Sequence, residues 1–110
     1  MMDRIRNAIA LTALATSLVA VPAAAQNYAL ATKWRLTGEA QIDCLGHADE
    51  AIRRAGFNLA EPGSQSIMGR RGDYTAAVRC VTEQRMVFFA VSGPAAGEVN
   101  RLLDAIYNVF

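Results

Sequence analysis

A cysteine and the only histidine of the chain stand three positions apart in the run IDCLGHADEAIRRAGF, Ile42 to Phe57. A thiolate and an imidazole at that spacing are half of a soft-metal site, which Cys80 would have to extend. His47 also has Asp43 four residues before it and Glu50 three after, so a carboxylate could orient it as a general base. Metal binding and histidine–carboxylate catalysis are therefore the two chemistries these residues offer.

Helical geometry separates the residues. At about 100° per residue, Cys44 falls at the edge of the stripe made by Leu45, Ala48, Ile52 and Ala55. His47 lies farther round, with Asp43, Glu50 and Arg54. Cys44 thus looks inward and His47 outward. The only other cysteine, Cys80, alternates with Tyr74, Ala76 and Val78 on one strand face. An even pair in a small exported chain reads as a disulfide, worth roughly 3–4 kcal/mol for the loop that Cys44–Cys80 closes. His47, Asp43 and Glu50 read as a solvated helix face, where i,i+4 pairs contribute a few tenths of a kcal/mol. A small envelope enzyme using His47 with Asp43 or Glu50 is the alternative; no metal or other cofactor is expected.

The remaining motifs are weak. There is no nucleophile elbow, H-E-x-x-H, P-loop or dinucleotide fingerprint. The tripeptide Arg71-Gly72-Asp73 reads as turn chemistry, and SGPAAGE (92 to 98) as a strand-to-helix connection.

Export is written at the N-terminus. MMDRIRN supplies a basic start, AIALTALATSLVAV a fourteen-residue apolar stretch, and Ala23-x-Ala25 a small-residue cleavage site. The apolar stretch is too short for a membrane span. Residues 1–25 are expected to be a cleaved signal peptide, leaving 26–110 as one small domain, periplasmic or secreted. Removing Asp3, Arg4 and Arg6 takes the chain from eleven basic and ten acidic residues to nine of each. A neutral domain lacks the basic excess that nucleic acid or an anionic membrane surface demands, so neither is expected as a partner.

The elements that must hold these residues follow from periodicity. YALATKWRL (28 to 36) reads as a strand, with Trp34 and Leu36 alternating against charged neighbours. Thr37 or Gly38 is expected to cap the next helix, whose stripe is Ile42, Leu45, Ala48, Ile52 and Ala55. Gly56 suits a left-handed helix end, with Phe57 packing back on Ile52. NLAEPGSQ reads as a loop; SIMGR, DYTAAVRCVT and RMVFFAVS read as three antiparallel strands. A tight turn at Arg71-Gly72 would set Arg70 opposite Asp73, Gly69 opposite Tyr74 and Met68 beside Thr75. Val99, Leu102, Leu103, Ile106 and Phe110 mark a closing helix, with Pro94 suited to its first turn. The order β-α-β-β-β-α predicts an α+β two-layer sandwich: an antiparallel sheet of three to four strands with both helices on one face.

The spaced set Trp34, Cys44, Ala51, Gly56-Phe57, Gly69, Tyr74-x-Ala76-x-x-x-Cys80 and Val91-Ser92-Gly93-Pro94 resembles a group of small exported bacterial proteins of unknown function. The resemblance spans most of the mature chain and implies the fold and the disulfide. It carries over no activity and no catalytic residue.

Alternation then exposes an anomaly on the back of the sheet. If Cys80 faces the helices, and an even-length connection through Glu83-Gln84 pairs Val81 with Met86, the opposite face carries Met68, Ala77, Val81, Met86, Phe88 and Ala90 around Arg79. That is too apolar for a solvated sheet face. The expected role is therefore binding, of a protein partner or a small ligand, with homodimerisation through this face as one form. Coverage by the chain's own segment Gln26 to Thr32 is the internal alternative.

Overall fold

The structure, a computed structural model, describes residues 27–110. The expected signal peptide and Gln26 lie outside these residues. The elements run β1 (Ala29–Leu36), α1 (Gln41–Arg54), β2 (Asn58–Pro62), β3 (Ser66–Arg71), β4 (Tyr74–Val81), β5 (Met86–Gly93) and α2 (Ala96–Val109), with a 3-10 turn at Thr82–Gln84. The strands form one antiparallel sheet in the order β1-β5-β4-β3-β2. Helix α1 packs on β3 and β4, and α2 on β5 and β1, both burying side chains in one core. The α+β sandwich is therefore as the periodicity predicts, with five strands instead of three or four.

The additional strand is β2, formed by residues that read as a loop. Its alternation is broken by a register shift between Leu59 and Glu61, and Pro62 closes it. Both features suit an edge strand, where no second neighbour requires a regular ladder. The end of α1 delivers the chain to that edge. Gly56 takes φ +87°, its N–H donates to Arg53 O (2.9 Å), and the Phe57 N–H donates to Ile52 O (3.2 Å). This is the Schellman ending foreseen for Gly56-Phe57. The Arg71 guanidinium donates to Ala55 O (2.8 Å), placing a cation at the negative end of the helix.

At its start α1 departs from expectation. The residue before the helix is Ala40, without a side-chain cap, and Thr37 Oγ1 accepts instead from the Glu39 N–H (3.2 Å). The buried stripe is Cys44, Ala48, Ala51 and Ile52, whereas Ile42 is 79% exposed. The disulfide explains the rotation. It draws Cys44 to the centre of the contact, and Ile42, about 160° farther round, is turned to solvent.

The β3–β4 hairpin turns at Gly72-Asp73, one position later than expected. Arg71 pairs with Tyr74, Arg70 with Thr75, Gly69 with Ala76 and Met68 with Ala77. The expected Arg70–Asp73, Gly69–Tyr74 and Met68–Thr75 partnerships are thus each displaced by two. An even displacement keeps every side chain on its own face. Tyr74 covers a different glycine: a Cβ on Gly93, its neighbour on β5, would fall inside the Tyr74 ring. At Gly69 a Cβ would lie 2.7 Å from Ile52 Cγ2 and 3.1 Å from Asn58 O, so this glycine lets α1 close on the sheet. Pro94 stands just before Ala95, the residue that precedes α2, outside the helix's first turn.

Candidate functional site

Cys44 and Cys80 are joined, with S–S 2.05 Å and Cα atoms 6.1 Å apart, across 36 residues of sequence. Both are buried, Cys44 fully. Gln41, the first residue of α1, ties the neighbouring backbone together. Its Nε2 donates to Ser64 O (3.0 Å) and Cys80 O (2.9 Å), and its Oε1 accepts from Thr82 Oγ1 (2.7 Å). The thiols are consumed in this staple, so Cys44-x-x-His47 is not a ligand pair.

His47 lies on the exposed side of α1, as the helical geometry requires. Its carboxylate partner is neither Asp43 nor Glu50 but Glu39, whose Oε2 meets His47 Nδ1. Glu50 pairs with Arg54 (3.7 Å). The imidazole also stands edge-on to Phe110, with centroids 6.0 Å apart. Glu39 precedes the helix by two residues and reaches back over its first turn, a contact that i,i+4 reasoning does not include. Half-exposed pairs of this kind contribute about 0–1 kcal/mol. Among the described residues, no three of His, Cys, Asp and Glu gather at metal-binding distance.

The sheet has two different faces. Toward the helices, Val91 pairs with Ala76, Phe89 with Val78 and Val87 with Cys80, all buried. Away from them, the rows read Leu30–Ser92–Thr75–Arg70, Thr32–Ala90–Ala77–Met68, Trp34–Phe88–Arg79–Ser66 and Leu36–Met86–Val81 from β1 across the sheet, the first mostly polar and the others mostly apolar. Met68, Ala77, Arg79, Val81, Met86, Phe88 and Ala90 therefore share one face, and Val81 pairs with Met86 as expected. The connection between those two spans Thr82 to Arg85, four residues instead of two, with Arg85 in the left-handed region (φ 56°). Its even length preserves the alternation.

Three residues of this face were not foreseen on it: Leu30, Trp34 and Leu36. They are 70%, 59% and 72% exposed, against 42% for Met68 and 37% for Phe88. Strand β1 is turned opposite to the usual amphipathic rule, with its cations toward the helices and its large apolar groups away. Lys33 Nζ reaches Asp104 Oδ1 (2.5 Å) and lies 4.9 Å from the Tyr107 ring centroid. The Arg35 guanidinium stands 4.8 Å from the centroid of Phe110, 5.0 Å from Tyr107 and 5.7 Å from Phe89. These cation–π and ionic contacts hold both cations at the rim of the helix layer. The shared parity of Leu30, Thr32, Trp34 and Leu36 was visible in the sequence, but not which parity faces out. It also corrects the expectation of self-coverage: from Ala29 onward the segment extends the apolar face as its edge strand instead of lying across it.

The surface holds shallow depressions of about 280 Å³ at Leu36–Gly38 and Arg85, about 240 Å³ around Gln41 and Ser64, and about 300 Å³ at Pro62, Gly63, Ser66 and Met68. These sit at or below the lower end of the ligand-pocket range of roughly 300–1,000 Å³. Among the described residues no helix is long and apolar enough to cross a membrane. No protein-family model and no curated protein matches the chain.

Proposed function

We propose that this protein is an exported, non-catalytic binding domain that docks a protein surface on the back of its sheet. The observation that carries the reading is the row Trp34–Phe88–Arg79, flanked by Leu30, Leu36, Met68 and Met86 on a face that neither helix covers. Antiparallel sheets that face water alternate toward polar residues, whereas the rows Trp34–Phe88–Arg79–Ser66 and Leu36–Met86–Val81 carry a single charge between them. Contiguous exposed apolar patches of this extent mark interaction sites. Tryptophan, phenylalanine, methionine and arginine are enriched at protein interfaces, and tryptophan and arginine also among hot spots. Among the described residues, a broad face beside shallow depressions of about 240–300 Å³ favours a protein surface over an enclosed small ligand. The disulfide and the secretory leader expected over residues 1–25 support a periplasmic or secreted setting.

A photo-crosslinking amino acid placed at Trp34, Phe88 or, as a control, Arg53 on the helix side tests this in the producing cells. Protein adducts at positions 34 and 88 in clear excess over position 53 are the expected result. Equal labelling at all three positions, or none, would overturn the reading.

A further inference from the structure

We propose, building on that reading, that the occupant of the face is a second copy of this chain, packed sheet against sheet as an isologous dimer. The edges of the sheet are blocked for the same purpose. On β1, Lys33 and Arg35 point to the helix side and are engaged there by Asp104 and by the rings of Phe89, Tyr107 and Phe110. On β2, the register shift between Leu59 and Glu61 and the terminal Pro62 break the ladder. Inward-pointing charges, bulges and proline are the devices that stop one sheet from adding to another at its edge. Between edge and face, these devices leave the face as the sheet's route to association.

The size of that face fits a dimer. Strands β1, β5 and β4 of eight residues and β3 of six, about 4.8 Å apart and about 3.3 Å per residue, present roughly 480 Å² in projection. Two such faces remove about 1,000 Å² or more from solvent, the lower bound for a specific interface. A twisted sheet is also the natural complement of another twisted sheet, stacked about 10 Å away with strands about 30° apart.

The composition of the rows selects the symmetry. A twofold axis lying along the strands between β4 and β5 lays each row on itself with strand order reversed. Phe88 of each copy then covers Arg79 of the other, and Met86 covers Val81. The Arg79 guanidinium, which already donates to Gln65 Oε1 (2.5 Å), keeps that partner and gains an aromatic face. This arrangement avoids setting the two Arg79 charges against each other. It also places the Phe88–Arg79 contacts near the centre, where hot spots concentrate.

The test is the solution mass of the purified mature chain by light scattering over a dilution series, with Phe88→Asp, Met68→Glu and the helix-side control Arg53→Asp. Circular dichroism establishes that each variant is folded. A dimeric wild type and control, with association weakened at least about 100-fold in folded Phe88→Asp or Met68→Glu, is expected. A wild type that is monomeric throughout, or face variants that dimerise like the control, would overturn the proposal. Should position 88 crosslink to other envelope proteins while the purified chain stays monomeric, the recognition face would stand and the second copy would be excluded from it.

Discussion

The double replacement Cys44→Ala with Cys80→Ala is expected to lower the melting temperature of the mature domain by roughly 12–30 °C. The staple closes 36 residues that contain most of α1, both hairpin strands β2 and β3, and most of β4. Constraining a loop of that length contributes roughly 3–4 kcal/mol, from a total of about 5–15 kcal/mol for a small domain. The two sulfur atoms also fill space in the core between α1 and β4, so alanine leaves a void in addition to the lost crosslink. Scanning calorimetry of the wild type and the double variant measures the difference. A midpoint unchanged within about 3 °C would mean that the domain does not depend on its crosslink.

Phe89→Ala is expected to cost about 3–5 kcal/mol, whereas Phe88→Ala, measured on the dilute monomer, is expected to cost less than about 1 kcal/mol. The two phenylalanines are adjacent in sequence and lie on opposite faces of β5. Phe89 is fully buried and meets Tyr107 and Phe110 edge-on, each with centroids 5.2 Å apart. Such ring pairs add about 0.5–1.5 kcal/mol beyond the burial itself. Truncating Phe89 also removes one of the three rings that hold Arg35, loosening the guarded edge of β1. Chemical denaturation of the two variants at low protein concentration reads both costs. Equal losses would mean that the faces of β5 are not divided between core and surface as described.

The features legible in the sequence were those fixed by local chemistry or strict alternation. The left-handed Gly56 and the returning Phe57 announced the end of α1 because only glycine occupies that position freely. The back-face set from Met68 to Ala90 followed from the two-residue period of β4 and β5, and it survived a hairpin displaced by two because parity was unchanged. Long-range packing was harder to read. Ile42 completes an apolar stripe on paper, but the Cys44–Cys80 bond sets the rotation of α1 and leaves Ile42 in solvent. Strand β2 has no regular alternation, because its only neighbour is β3 and its bulge and Pro62 are tolerated at an edge. The outward parity of β1 depends on Asp104, Tyr107 and Phe110, some seventy residues away, which receive Lys33 and Arg35. Glu39 as the partner of His47 lies beyond helix spacing and was invisible for the same reason.

One design emerges from these contacts: a disulfide and two helices seal one side of a small sheet, the edge strands carry inward-turned cations or a bulge and proline, and the other side presents a cluster of large apolar side chains. A face built this way is expected to be covered wherever the protein works. Oxidative footprinting read by mass spectrometry addresses that directly, because Trp34, Met68 and Phe88 report the face while Ile42 and Val109 report exposed positions on the helices. Labelling in intact producing cells is compared with labelling of the dilute purified chain. Trp34, Met68 and Phe88 are predicted to be strongly protected in cells, with Ile42 and Val109 unchanged. Equal labelling of both sets under the two conditions would contradict a partner on the back of the sheet.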